Sequence, residues 1–308
     1  MDNKNKKKKI ALLLCSTGNE AFAVGNVIIG AKKYLFQNLK DEEYDVVFYT
    51  DKLEKNDEKA LKTIFPRIII RIYKPPFSIS DNKADITYYT AFAYTRFEVF
   101  DMLDNYQKIL YMDTDMVIQK DISNIINLNE HFYISLYKNG TIDLKYNMNK
   151  KLFEKLNKKY DLNILRGCSG IFLISDNFPR YKEAKEWCYK QIKIYECNDE
   201  DILNICLQEF GAQTNILSEY YNCMPDSKIV NDAYIVHSLG PNKFWRGTYN
   251  KFWEENNKEW IEAGGNCTYK ENTKKRKLVD KIVWLIPNYN LRNKIRGFLL
   301  RNIGLSGR

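Results

Sequence analysis

Apolar and polar residues along this chain fall into short blocks with two different periods. Ile10–Leu14 is a continuous apolar run between a lysine-rich start and the turn Ser16-Thr17-Gly18-Asn19, which predicts a strand. Ala21 to Phe36 then reads as a helix, Tyr44–Thr50 as a second strand ending at Asp51, and Glu54 to Ile64 as a second helix. Arg67–Tyr73 is a strand stopped by Pro75-Pro76. Tyr88 to Leu103 predicts a helix, and Lys108–Met112 the next strand, with Asp113-Thr114-Asp115 at its end. Strands alternating with helices of this size imply βαβ units around a parallel sheet, an α/β fold.

The later half is more mixed. Ile171–Ser175 predicts a strand, Tyr181 to Glu196 and Asp199 to Phe210 two helices, and Ala233–Val236 a strand that delivers His237. No internal repeat is present, and no low-complexity segment beyond the lysine-rich start. The pattern breaks near Gly264-Gly265, which places a folded domain at 10–265 and a tail at 266–308.

Charge sharpens that boundary. The net charge of the 308 residues is +9. Between Lys274 and Arg308 there are ten Lys and Arg against the single acid Asp280, and Met1–Lys9 adds five Lys against Asp2. The body between these ends is therefore mildly acidic, which excludes a nucleic-acid groove across the fold. In the tail, Leu291, Ile295, Phe298, Leu299 and Ile303 recur at helical spacing, with Arg292, Lys294, Arg296 and Arg301 largely away from that stripe. Trp284 lies in a short apolar knot, Ile282–Ile286. A basic amphipathic helix of this kind suits an anionic membrane surface; the alternative is a helix packed on the domain.

The lysine-rich start is followed by an apolar run too short for a secretory leader, and no apolar stretch reaches the roughly 18 residues of a membrane span. The seven cysteines include no C-x-x-C pair and read as reduced thiols filling small apolar spaces. Together these predict a cytoplasmic protein, peripheral on the inner face of the cell membrane.

Asp113 and Asp115 carry the chemistry. Two carboxylates two residues apart on an extended segment project to one side and repel unless a cation sits with them. They also lie at the carboxyl end of a strand, where open α/β sheets bind ligands. A hard divalent cation with oxygen ligands fits, leaving positions for a diphosphate. His237 adds an imidazole, which favours Mn²⁺ over Mg²⁺ as the alternative. It opens the turn through Gly240 and Pro241, and Lys243 offers a point charge for a phosphate.

In four places the chain resembles the retaining glycosyltransferases of family 8, over roughly Ile10 to Trp260. Tyr94-Thr95-Arg96-Phe97 followed by Lys108 to Asp115 is similar to the family's helix, strand and D-x-D. Asp199-Glu200-Asp201-Ile202-Leu203-Asn204 is similar to its D-Q-D-x-L-N, and His237 to Lys243 to its H-x-x-G-x-x-K. The resemblance implies a GT-A fold, a Rossmann-like mixed sheet flanked by helices, here with the basic amphipathic helical tail. It implies that Asp113, Asp115 and His237 ligate the metal. It places Lys243 and Gly240 on the diphosphate, and Arg96 near donor sugar and phosphates. Thr17, Gly18 and Asn19 would lie against the nucleoside, and Thr114 and Ser169 in the nucleotide-sugar site. Three positions depart from the pattern: Thr17 and Glu20 stand where an Asp and a Tyr often hold the base, Cys168-Ser169-Gly170 replaces N-A-G, and Glu200 replaces Gln.

What the resemblance implies is transfer of a hexose from UDP-galactose or UDP-glucose to a cell-envelope glycan or glycolipid such as lipooligosaccharide. The metal and Lys243 would neutralise the leaving diphosphate. Glu200 is a candidate nucleophile for retention, or else orients the sugar; Asp199 would bind hydroxyls. Two other classes compete. Asp113 to Val117 also fits the D-x-D-x-[TV] of haloacid-dehalogenase-type phosphatases, with Asp113 as nucleophile, although that motif normally follows the first strand of its domain. A non-catalytic membrane-surface binding module would use the tail alone.

Overall fold

The computed structural model describes residues 7–77, 91–195, 198–240, 243–246, 248–266, 278–279, 281–286, 291–292, 295–296 and 298–299. Among these, seven strands form one mixed sheet. They are β1 (Lys8–Cys15), β2 (Tyr44–Thr50), β3 (Ile69–Ile72), β4 (Tyr106–Met112), β6 (Phe132–Leu136), β7 (Gly167–Ser175) and β8 (Thr214–Leu217), in the order β3-β2-β1-β4-β7-β6-β8. β1, β2, β3 and β4 run parallel, β7 is antiparallel to both β4 and β6, and β6 is parallel to β8. Two short strands, β5 (Met116–Ile118) and β9 (Ile235–His237), pair antiparallel in a separate ladder.

The inner strands, β1, β4 and β7, and β2 beside them are largely buried on both faces, which explains why they read as apolar runs. Along β1 the side chains alternate between two cores. Ile10, Leu12 and Leu14 join the one formed with α1 (Ala21–Tyr34) and α2 (Lys55–Ile64); Ala11 and Leu13 join the other. That second core is closed by residues 92–103 and by helices numbered here α5 (Tyr181–Ile194) and α6 (Asp199–Glu209). Further α-helices among the described residues include α3 (Val99–Met102), α4 (Lys150–Leu156) and α7 (Lys251–Glu262).

One element differs in kind from the sequence reading. The helix expected from Tyr88 begins outside the described residues, and its described part is a 3-10 helix, Phe92–Glu98, running into α3. Thr95 Oγ1 donates to Phe92 O at 2.6 Å and Arg96 Nε to Ala93 O at 2.7 Å, so two side chains bind carbonyls three residues back. Those bonds favour the tighter winding and turn Arg96 inward.

Val279 and Val283 pack against Ile286, Ile295 and Leu299 in a small cluster distinct from the two main cores. Leu278, Ile282, Trp284, Leu285, Leu291 and Phe298 are exposed. The expected stripe is therefore split: Ile295 and Leu299 face this cluster, Leu291 and Phe298 face outward, and Ile303 lies outside the described residues. No helix among the described residues is long and apolar enough to cross a membrane.

Candidate active site

Residues more than 100 positions apart meet because the two ladders end at the same place. The β4–β7 ladder pairs Met112 with Ile171, and one step further Asp113 N donates to Gly170 O at 2.8 Å. The chain then turns at Thr114-Asp115 into β5, whose first residue, Met116, pairs with His237 of β9. Ser238 fastens the same junction, donating from both N and Oγ to Asp115 O, each at 2.9 Å. The two aspartates thus share a site through a turn, not through the pleat of one extended segment.

One ligand atom from each of Asp113, Asp115 and His237 lies within 4.8 Å of the others. His237 is 1% exposed. Its Nε2 is 3.1 Å from Asp115 Oδ1, yet makes no hydrogen bond of acceptable geometry. A buried nitrogen left in this state is costly unless something else engages it. The backbone at Gly170 leaves room for such a group: a Cβ there would sit 2.9 Å from His237 Cε1 and 3.0 Å from Asp113 Oδ2. Two carboxylates, one imidazole and this gap fit a divalent cation.

The electrostatics agree. Burial would raise the Asp115 carboxyl, but His237 in its charged form and Lys243, whose Nζ contacts Asp115 Oδ2, outweigh it and hold it well below the usual range. Asp113 moves the other way, raised by burial and by Asp115 in spite of Arg96 and the 2.8 Å hydrogen bond from Tyr111. Two carboxylates that resist ionising together constitute a site that stabilises added positive charge.

Arg96 forms the opposite wall. It is 5% exposed and reaches Asp199 Oδ2 at 2.7 Å and Asp113 Oδ1 at 3.4 Å, with Ser169 Oγ in contact. Burial opposes its charge, but Asp199, Tyr111, Asp113 and Glu200 outweigh burial and keep it protonated. Glu200 is held at both oxygens: Oε1 accepts from Arg166 Nε at 2.6 Å and Oε2 from Ser169 N at 3.1 Å. Arg166 Nη2 also lies 2.9 Å from Asp201.

A cleft opens between these walls, lined among others by Thr17, Glu20, Arg96, Asp113, Thr114, Asp115, Lys243, Trp245 and Arg246. The space between them, including its open mouth, is about 800 Å³. Thr17 faces it, whereas Asn19 is exposed and Gly18 donates its N–H to Asp51 Oδ1 at 2.8 Å. Gly18 is there for space, since a Cβ would meet Lys52 O at 2.1 Å. Gly240 is exposed with φ +79°, a left-handed turn beside open space; Pro241 and Asn242 lie outside the described residues. Cys15 and Cys168 are inert: burial pushes both thiols up to about 12. The described cysteines are all free; Cys197 and Cys267 lie outside the described residues. Tyr111, Arg166, Asn222, Trp245 and Arg246 went unmarked in the sequence, because each earns its place only through partners brought by folding.

Comparison with known proteins places this geometry. The profile of glycosyl transferase family 8 matches residues 11–248. A putative glycosyltransferase of Haemophilus influenzae is 24% identical in an alignment of length 236 that covers 68% of this chain and 67% of that protein. Among solved structures, the galactosyltransferase LgtC in complex with donor and acceptor sugar analogs superposes with a TM-score of 0.58 at 16% identity, covering 85% of this chain and 99% of LgtC. The bifunctional glycosyltransferase WbbM gives 0.59 at 14% identity, covering 90% of this chain, which spans only 53% of WbbM. The fold is GT-A, which sets aside the phosphatase. With the family profile covering the whole stretch from β1 past Lys243, the chain belongs to glycosyl transferase family 8.

Proposed function

We propose that this glycosyltransferase moves a hexose, from UDP-galactose or UDP-glucose, onto a cell-envelope glycan or glycolipid such as lipooligosaccharide, with retention at the anomeric carbon and with a divalent cation, Mn²⁺ in preference to Mg²⁺. The observation that carries the reading is the meeting of Asp113, Asp115 and His237 at the carboxyl end of β4, facing a cleft. The galactosyltransferase named among the similar structures supports the choice of donor and of a sugar acceptor.

Asp113, Asp115 and His237 would hold the cation, which supplies Lewis-acid neutralisation of the diphosphate. Lys243 contributes a second positive charge beside Asp115, and Gly240 allows the diphosphate a close approach to the backbone. Thr17, Gly18 and Asn19 meet the nucleoside, Gly18 by shaping the turn. Thr114 lines the donor site, and Arg96 with Ser169 borders it near the sugar. Asp199 binds a hydroxyl. Glu200 orients the sugar, its own oxygens held by Arg166 and Ser169. The basic tail, with Trp284 and Leu285 exposed, rests on an anionic membrane at the cytoplasmic face and brings the cleft to a lipid-linked acceptor.

The test is a panel of nucleotide sugars incubated with Mn²⁺, Mg²⁺ or chelator. The expected result is Mn²⁺-dependent hydrolysis or thermal stabilisation with a UDP-hexose; no metal dependence with any donor would refute the reading.

A further inference from the structure

We propose that Asn222 is a positioning residue that fixes the tautomer of His237, so that the Nε2 lone pair faces Asp113 and Asp115. The inference rests on the metal-site reading above and names what prepares that site.

Neutral imidazole carries one proton, and its location decides whether Nε2 can ligate. His237 Nδ1 lies 2.8 Å from Asn222 Oδ1. The other end of the amide meets a buried hydroxyl: its Nδ2 donates to Ser135 Oγ at 2.9 Å, and Ser135 is 1% exposed. In this orientation the carbonyl end faces Nδ1, which then donates. The proton sits on Nδ1, and Nε2 keeps its lone pair. This accounts for the buried Nε2 that makes no hydrogen bond although a carboxylate oxygen is 3.1 Å away. The reversed amide would set NH₂ against Nδ1 and drive the proton onto Nε2, closing it to a cation.

The backbone holds both partners in place. His237 N donates to Cys223 O at 2.8 Å and Cys223 N to Ile235 O at 3.1 Å, so neither Asn222 nor His237 slides past the other. His131 provides an internal contrast. Its Nδ1 accepts from Gln213 N at 3.0 Å, which forces its proton onto Nε2. The chain has only these two histidines, so the two should show opposite tautomers.

The test has two arms on the full chain. In the first, ring ¹⁵N spectra are recorded without metal at a pH where both imidazoles are neutral. One Nδ1–H and one Nε2–H tautomer are expected; two Nε2–H rings would overturn the proposal. In the second arm, Mn²⁺ affinity is read from the electron paramagnetic resonance of the free ion, alongside thermal unfolding. Asn222→Leu removes the acceptor at similar volume and should weaken Mn²⁺ by about 10- to 100-fold, the usual effect of losing an outer-sphere partner. Asn222→Asp keeps an acceptor and should stay within about threefold. Wild-type affinity in Asn222→Leu, or equal losses in both variants, would overturn it. Should Asn222→Leu not fold, Ser135→Ala replaces it, with a loss of at least about threefold expected and unchanged affinity counting against the proposal. A wild-type chain that binds no Mn²⁺ while showing the two tautomers defeats the metal reading, and with it this role, but leaves the geometry standing.

Discussion

Arg166 governs the charge of two of three consecutive acids. Arg96 is paired with Asp199, which leaves Glu200 and Asp201 to one guanidinium that is 2% exposed. Removing that cation strands buried carboxylates, and breaking such a pair costs about 3–5 kcal/mol. Arg166→Met should lose stability on that scale in chemical denaturation, and turnover with it. Adding Glu200→Gln removes one stranded charge and should recover part of both losses. A nucleophilic Glu200 predicts the opposite for turnover, with the double variant dead. Gly170→Ala probes the neighbouring gap. Its Cβ would press on His237 and Asp113 at about 3 Å, so cation affinity should fall by at least about tenfold, as when ligand geometry is disturbed, while titration calorimetry on the wild type supplies the reference. At this scale the sequence was only partly informative. Asp113, Asp115 and His237 stood out because carboxylates at a strand end and a scarce histidine after an apolar run have few uses together. Arg166 and Asn222 gave no sign, since each is defined by one hydrogen-bond partner that lies 34 or 15 residues away.

Among the elements, α1 carries the turn after β1 into the body, and it is anchored where Gly25 meets Trp260 of α7. A Cβ at Gly25 would fall 2.3 Å from the indole, and Trp260 is fully buried. Gly25→Ala gains about 1 kcal/mol of helix propensity, but forcing a methyl into that ring costs about 1–3 kcal/mol. The rigid indole, which a Cβ at Gly265 would also clash with, has nowhere to retreat. The expected net effect is a lower unfolding midpoint in thermal denaturation; a stabilised variant would mean that α7 is free to shift. The long elements of the first half were legible because strands buried on both faces announce themselves as apolar runs: Tyr44–Thr50 matches β2 residue for residue, and Ile10–Leu14 lies inside β1. β5 and β9 are three residues each. That is too short for a period to register, and β5 went unread although it is the element that brings Asp115 to His237.

Over the molecule as a whole, charge and exposed apolar surface coincide towards the C-terminus. Both main cores are built from residues between Ile10 and Trp260, and Asn266 hydrogen-bonds with Asp57, Glu54 and Trp260. Beyond it the chain turns strongly basic, and the described residues there expose Leu278 at 60%, Ile282 at 51%, Trp284 at 71% and Leu285 at 77%. Exposure of that kind beside like charge disfavours self-association and suits a surface that is both anionic and apolar. Trp284→Ser with Leu285→Ser leaves every basic residue in place and touches no buried group. If these side chains enter the acyl boundary, each burial contributes about 1.5–3 kcal/mol, so the double variant should bind anionic vesicles at least about tenfold more weakly in co-sedimentation. Hydrolysis of the donor in solution should be retained. Replacing the anionic lipid by a zwitterionic one should weaken the wild type in the same way, because the charge and the apolar face act on one surface. Equal binding of wild type and double variant to anionic vesicles would leave the tail a charged appendage without a membrane role.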